Sequence, residues 1–198
     1  MNNSLTIIGA GAWGSALAIA LSHKFDKIFL LAKDKASSDA LGKQHSALSK
    51  PYNQNIFIGY SYEVINHSKA VLIATPSSAF GSVLKNIKDN VNDIPIAWVT
   101  KGFDPETANL LHETFNHYLT GHHPCVISGP TFAAEIVEEK PAAIVVASKD
   151  KKTRDYWSDI IQTETLRAYT NSDIVGVQVG GSVKNILAIA AGIASGLG

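Results

Sequence analysis

The sequence holds a single cysteine, Cys125, so it forms no internal disulfide and shows no adaptation to an oxidising compartment. It has no surplus of either charge. Its 17 Lys plus Arg equal its 17 Asp plus Glu, without a dense basic run, which argues against a surface built for nucleic acid or an anionic membrane. A histidine ligand set is also lacking. His112 and His117 would not stack on one helix face, and His122-His123 precede Pro124 in a loop. No unbroken apolar run reads as a leader or an anchor. Glycines interrupt Leu5 to Leu21 and no Lys or Arg precedes it, unlike a signal peptide. The stretch ILAIAAGIASGLG follows Lys184 and Asn185 and is too short to span a bilayer. Repeats and low-complexity tracts are absent as well. These exclusions leave a chain expected in the cytoplasm, without nucleic acid or membrane insertion, acting on a small molecule.

The 198 residues are 45% hydrophobic, enough for one sizeable core and the start of a second. Short apolar runs of strand length recur at Leu5–Ile8, Lys27–Ala32, Ala70–Thr75, Ile96–Thr100, Cys125–Ser128 and Ala142–Ala147. Runs this continuous suit strands covered on both faces. Between them lie helix-like segments at Ala12–His23, Ser77–Asn90, Pro105–Tyr118 and Lys151–Gln162. The alternation predicts an α/β fold, a doubly wound, mostly parallel sheet. Leu41–Tyr62, with Pro51, Gly59 and several asparagines, reads as irregular connection. After Thr165–Thr170 we expect no further strand. Residues 1–170 are read as one domain, and 171–198 as the first helix of an incomplete all-α domain whose remainder lies downstream.

Gly9-Ala10-Gly11-Ala12-Trp13-Gly14 stands between a strand candidate and an alanine-rich helix candidate, which is the context the G-x-G-x-x-G dinucleotide fingerprint requires. There Gly9 permits the tight turn, Gly11 lets backbone approach a pyrophosphate, and Gly14 lets helix pack on strand. The amides of Ala12 and Trp13, at the start of the helix, would face the phosphates. An acidic residue at the end of the second strand would hold the ribose of NAD. Here the region reads Ala32-Lys33-Asp34-Lys35. Asp34 suits NAD, Lys33 and Lys35 suit the extra phosphate of NADP, and a solvated turn of mixed charge is the plain alternative. We take Lys33 as the phosphate-facing residue, with NADP or NAD bound and NADP favoured.

Three clusters follow strand candidates, on the edge where open α/β sheets place ligands: Thr75-Pro76-Ser77, Thr100-Lys101-Gly102 and Ser128-Gly129-Pro130-Thr131-Phe132-Ala133. A fourth feature is Val177-Gln178-Val179-Gly180-Gly181-Ser182-Val183-Lys184-Asn185. Adjacent glycines cost a helix about 1 kcal/mol each relative to alanine, so something must come close to this backbone. Helical spacing puts Gly180, Gly181, Lys184, Ala188 and Ala191 on one face, a flat surface with one lysine. That lysine is either a snorkelling side chain at a packing seam or a functional group. Two lysines drawn into one pocket lose solvation and repel, and both effects bring lysine towards acid/base use.

IGAGAWGSALA, ATPS, TKGFDPET, SGPTFAAE and GVQVGGSVKNILAIAAG occur in the order and approximate spacing of the NAD(P)-dependent glycerol-3-phosphate dehydrogenase family, which the chain resembles throughout. The resemblance implies a Rossmann-type cofactor domain followed by a helical substrate domain. It implies reversible hydride transfer between NAD(P)H and dihydroxyacetone phosphate, giving sn-glycerol 3-phosphate for phospholipid backbones, by a homodimer. By the same resemblance Lys184 is the proton donor to the ketone oxygen and the base in reverse, and Lys101 contacts both cofactor and substrate. Gly129 and Thr131 become substrate contacts, Ala133 and Trp13 flank the cofactor, Lys33 meets its adenosine end, and Asn185 lines the site. Physically, a hydride arriving at a carbonyl carbon builds negative charge on oxygen, which a nearby ammonium neutralises by giving up a proton.

Two positions depart from the family pattern. Gln178 stands where the family usually has glutamate, and the loop around Lys50-Pro51-Tyr52 matches poorly. The family's helical domain carries an aspartate near the lysine and an Arg-Asn pair for the substrate phosphate, so this polypeptide alone is expected to bind dinucleotide better than it turns over. Other readings are a non-catalytic dinucleotide-binding module, or a hydroxyacid or ketopantoate-type reductase built from the same two kinds of domain.

Overall fold

The computed structural model describes residues 3–129 and 131–197. Its strands are β1 (Ser4–Ile8), β2 (Lys27–Leu31), β3 (Ile56–Gly59), β4 (Ala70–Ile73), β5 (Ile96–Trp98), β6 (Val126–Ser128), β7 (Ala142–Ala147) and β8 (Leu166–Asn171). The helices are α1 (Ala12–Leu21), α2 (Lys35–Leu41), α3 (Ser77–Ile87), α4 (Leu111–Tyr118), α5 (Ala133–Val137), α6 (Lys151–Ile161) and α7 (Ile174–Leu197). The strands form one sheet in the order β3-β2-β1-β4-β5-β6-β7-β8. Pairing is parallel everywhere except between β6 and β7. The first six strands have the 3-2-1-4-5-6 order of a dinucleotide-binding sheet, whose direction of winding reverses between β1 and β4 and leaves a crevice at their carboxyl ends.

Strand alternation sends successive side chains to opposite faces, and each face meets helices. Leu5, Ile7, Ile28, Leu30, Leu72, Ile127 and Val146 pack with α1, α5 and α6. Ile8, Val71, Ile73, Ile96, Trp98 and Val126 pack with α3, α4 and α7. Trp98 centres the second face, its ring centroid 5.4 Å from that of Phe80 and 5.3 Å from that of Phe115. Each fully buried side chain of this size contributes about 1.5–3 kcal/mol, so the sheet edge that carries the ligand clusters is rigidly held from both sides.

All six apolar runs are strands, and two further strands lie outside those runs, one in the segment read as irregular and one on Thr165–Thr170, after which, among the described residues, no strand follows. β3 falls inside the segment read as irregular, because it is a four-residue edge strand that pairs with β2 and leaves Phe57 half exposed. β8 is the segment Leu166–Asn171, mostly exposed and polar on the other edge, so an apolar-run criterion passes it by. The helix expected from Pro105 begins at Leu111 instead. Asp104 turns the preceding stretch, its Oδ1 accepting from the amides of Glu106 (3.0 Å) and Thr107 (3.2 Å), and Ala108 has φ 58°.

The antiparallel step matters for function. Because β7 and β8 run against β1–β6, Asn171 ends at the edge where β6 begins, and α7 must then climb alongside β6 to reach its carboxyl end. Ile174 and Gln178 are buried at the foot of this climb. Higher up, a Cβ on Gly181 would lie 2.6 Å from Ser128 Oγ, so the helix passes close to the tip of β6 and a larger residue there would require that hydroxyl to rotate away. Beyond Lys184 the helix exposes Leu187, Ile189 and Ile193. The whole of α7, 24 residues at a mean hydropathy of 1.5, is long and apolar enough to cross a membrane by length and composition, although its apolar C-terminal stretch alone is not.

Candidate active site

A cleft of about 980 Å³ opens at the carboxyl ends of β1, β2, β4 and β5. Its floor is the glycine turn. Gly9 has φ +114°, and its amide donates to Leu31 O at 2.8 Å, joining the turn to β2. A Cβ there would lie 2.6 Å from Ala74 O, so only glycine both turns and fits. Gly14 is buried behind the turn, where a Cβ would come within 1.9 Å of Gly9 O. It does not line the cleft; it lets α1 rest on the turn.

Gly11 is different. A Cβ at Gly11 would meet nothing within 4 Å, so no internal packing demands glycine. It is the N-cap of α1, with no side-chain cap and no acidic residue in the first turn. The first amides of a helix have no intrahelical acceptor, and together with the helix dipole they attract an anion. Ala12 and Trp13 continue this wall of the cleft.

Lys33 lines the β2 side of the cleft, highly exposed, with Nζ 3.7 Å from Asp34 Oδ2. The other oxygen of the Asp34 carboxylate caps α2, Oδ1 accepting from Ser37 N at 2.7 Å. That hydrogen bond is the main reason its carboxyl is held below the ordinary aspartate value. The far wall includes Thr75 after β4, Lys101 after β5, and Thr131 and Ala133 after β6. The hydroxyls of Thr75 and Thr131 are buried and have no partner among the described residues, a costly arrangement unless something in the cleft supplies one.

Lys101 is partly buried and donates from Nζ to Gly129 O at 3.2 Å. Burial holds its ammonium below the ordinary lysine value, and the like charge of Lys184 lowers it further. Lys184 reaches the same edge from α7, its Nζ 5.5 Å from the ring centroid of the exposed Phe132. Gly129 is set by packing: a Cβ would lie 2.8 Å from Ile144 Cγ1 and 2.9 Å from Ala143 O, on β7. The Asn185 side chain lies outside the described residues.

Several contacts escape sequence reasoning. Gln178, buried in α7, accepts from His112 N at 3.1 Å, and its Nε2 lies 3.0 Å from His112 Nδ1 and donates to Ile174 O at 3.0 Å. The amide thus satisfies α4 and α7 together. Tyr52, in the loop that fits the family pattern poorly, places its hydroxyl 2.9 Å from Ser15 Oγ on α1. Tyr62 and Asn86 line the cleft opposite Lys33, and no motif marks them.

The family model for the N-terminus of NAD-dependent glycerol-3-phosphate dehydrogenase matches residues 4–154, and that for its C-terminus matches 173–198. Over its whole length the chain is 54% identical to a glycerol-3-phosphate dehydrogenase [NAD(P)+] of Vesicomyosocius okutanii subsp. Calyptogena okutanii, of which it covers 61%. It is 52% identical to that of Ruthia magnifica subsp. Calyptogena magnifica, again covering 61%. A crystal structure of glycerol-3-phosphate dehydrogenase from Coxiella burnetii superposes with TM-score 0.90 at 33% identity, over 99% of this chain and 62% of that one. The chain therefore spans about three-fifths of the length of these relatives. With the first model covering residues 4–154, from β1 and the glycine turn into the start of α6, the chain belongs to the NAD-dependent glycerol-3-phosphate dehydrogenase family.

Proposed function

We propose that the complete protein is an NAD(P)-dependent sn-glycerol-3-phosphate dehydrogenase, interconverting dihydroxyacetone phosphate and sn-glycerol 3-phosphate for glycerophospholipid synthesis. The observation that carries this reading is Lys101 in the wall of a glycine-floored cleft, with Lys184 on a separate element, outside the cleft lining but near enough for its charge to lower the proton affinity of Lys101. The cleft fits a dinucleotide on its own terms. The open space over Gly11, the uncapped start of α1 and the unpartnered hydroxyls of Thr75 and Thr131 are features that a bound phosphate and polar ring would use. Gly9, Gly11, Ala12, Trp13, Lys33, Lys101 and Ala133 would hold the cofactor, while Gly14 supports the turn from behind. The nicotinamide supplies the hydride.

The chain's own residues handle the proton. In reduction, Lys184 donates a proton from Nζ to the ketone oxygen as that oxygen gains charge; in oxidation, the neutral amine takes it back. Lys101, with Gly129 O and Thr131, orients the substrate, and Asn185 belongs to the same set. At the end of β2 it is Lys33, not Asp34, that lines the cleft, while Asp34 caps α2, and we favour NADP over NAD. Residues 1–170 form the cofactor domain and 171–198 begin the substrate domain; that a separate family model matches 173–198, after the first ends at 154, supports this division. Cytoplasmic location and homodimeric assembly belong to the same reading and rest on the family resemblance and on the free thiol of Cys125. Adding dihydroxyacetone phosphate to the complete protein with NADPH should abolish nicotinamide absorbance. A stable signal refutes the proposal and favours a binding module or a reductase of another substrate.

A further inference from the structure

We propose that Ser182 is a positioning residue, whose hydroxyl ties the loop bearing Lys101 to the helix bearing Lys184 and so sets the spacing of the two ammonium groups. This rests on the dehydrogenase reading of the cleft. The Ser182 hydroxyl accepts from Gly102 N at 3.1 Å and donates to Gln178 O, one turn back on its own helix, at 2.8 Å. One oxygen thus bridges two elements that meet nowhere near each other in sequence.

The loop has little freedom to find another acceptor. Gly102 has φ +107°, and a Cβ there would lie 3.2 Å from Ser77 Oγ. On either side the loop is fastened to the sheet edge, by Thr100 Oγ1 donating to Thr75 O at 2.8 Å and by Lys101 Nζ donating to Gly129 O at 3.2 Å. Among the hydrogen bonds of the described residues, Gly102 to Ser182 is the one that joins this loop to α7. On the helix side, Gly181 is pressed against Ser128 and Gln178 is locked to His112. The loop and the helix are each ordered on their own side, so the Gly102–Ser182 hydrogen bond is the direct tie through which one takes its distance from the other.

Ser182 and Lys184, two residues apart, leave the helix about 200° apart, so the hydroxyl acts on the lysine through the placement of α7 and not by contact. The groups facing Lys101 are the Lys184 ammonium from α7 and the Gly129 carbonyl after β6. Loosening the bridge lets Lys101 gain water and draw away from Lys184, and both changes raise its proton affinity.

The test uses Ser182→Ala, which removes the hydroxyl, and Ser182→Thr, which keeps it, in the complete protein. The titration midpoint of Lys101 is read from the pH dependence of its acetylation by acetic anhydride, followed by peptide mass spectrometry. Ser182→Ala should raise the midpoint by about half a pH unit or more, while Ser182→Thr stays near the unsubstituted value. With dihydroxyacetone phosphate and NADPH, Ser182→Ala should lower kcat about fivefold with the KM for NADPH nearly unchanged, as expected for misplaced reacting groups. A midpoint unmoved by Ser182→Ala, or moved equally by Ser182→Thr, overturns the proposal. Absence of turnover in the unsubstituted protein defeats the dehydrogenase reading instead, and the acetylation readout still decides whether the bridge exists.

Discussion

Gly11→Ala and Gly14→Ala load opposite sides of the same turn, and the structure separates their consequences. At Gly11 the added methyl meets nothing within 4 Å, and φ −73°, ψ 177° suits alanine. Reduced freedom of the unfolded chain stabilises by about 0.4–1 kcal/mol. Alanine is a poorer N-cap than glycine by about the same amount, so folding should be nearly unchanged. The same methyl projects into the space where a phosphate would approach the first amides of α1. Losing one charge-assisted hydrogen bond at about 1.5–3 kcal/mol weakens binding about 10- to 100-fold. At Gly14 the methyl would sit 1.9 Å from a backbone oxygen that no rotamer change can move. Overpacking of this kind costs about 3 kcal/mol, offset by about 1 kcal/mol of helix propensity. At about 2–4 °C per kcal/mol, Tm should fall by about 4–8 °C. Calorimetric melts of both variants, with NADPH titrations followed by fluorescence, give the full comparison. If Gly11→Ala binds NADPH as tightly as the unsubstituted protein, the dinucleotide does not lie over this turn and the reading of the cleft is wrong.

Lys184→Met should lower kcat about 10²- to 10⁴-fold while NADPH affinity stays nearly constant, and steady-state kinetics beside a binding titration would expose any other outcome. Lys33→Ala should weaken NADPH more than NADH; equal losses would show that the Lys33 ammonium does not meet the extra phosphate. Asp104→Ala strips acceptors from the amides of Glu106 and Thr107 and from Thr114 Oγ1, at 2.8 Å from Asp104 Oδ2, and should destabilise by about 1–3 kcal/mol at neutral pH. The hydrogen bond from Thr114 leads the causes that hold the Asp104 carboxyl below its ordinary value. A depressed carboxyl stabilises above the unfolded-state value and loses that contribution as pH falls through the folded one. The Tm gap to the unsubstituted protein should therefore narrow on acidification below the ordinary aspartate range, as melts across pH would reveal.

The parts of the molecule legible in sequence are those whose chemistry is local. Continuous apolar runs announce β1, β2, β4, β5, β6 and β7 because both their faces are covered. β3 and β8 are edge strands with exposed or polar residues, so their pairing is decided by the neighbouring strand and leaves no pattern of its own. The glycines divide similarly. Gly9 and Gly11 carry the expected turn and open approach, whereas the need for glycine at Gly129 comes from the backbone of Ala143 and Ile144, partners that only the β6–β7 pairing brings close. The two lysines are visible as oddities of composition. Ser182 is not, since a serine inside a helix reveals its Gly102 partner only after the fold has brought them together.

The reversal of direction between β6 and β7 leaves a lasting constraint on how this protein can vary. Lys184 arrives on a straight rod that starts at the opposite edge of the sheet, so the number of residues between Asn171 and Lys184 acts as a ruler. Removing one residue from the lower part of α7 would swing the ammonium by about 100° and lower it by about 1.5 Å. Length changes are tolerable in the connections around the sheet, but this rod admits none.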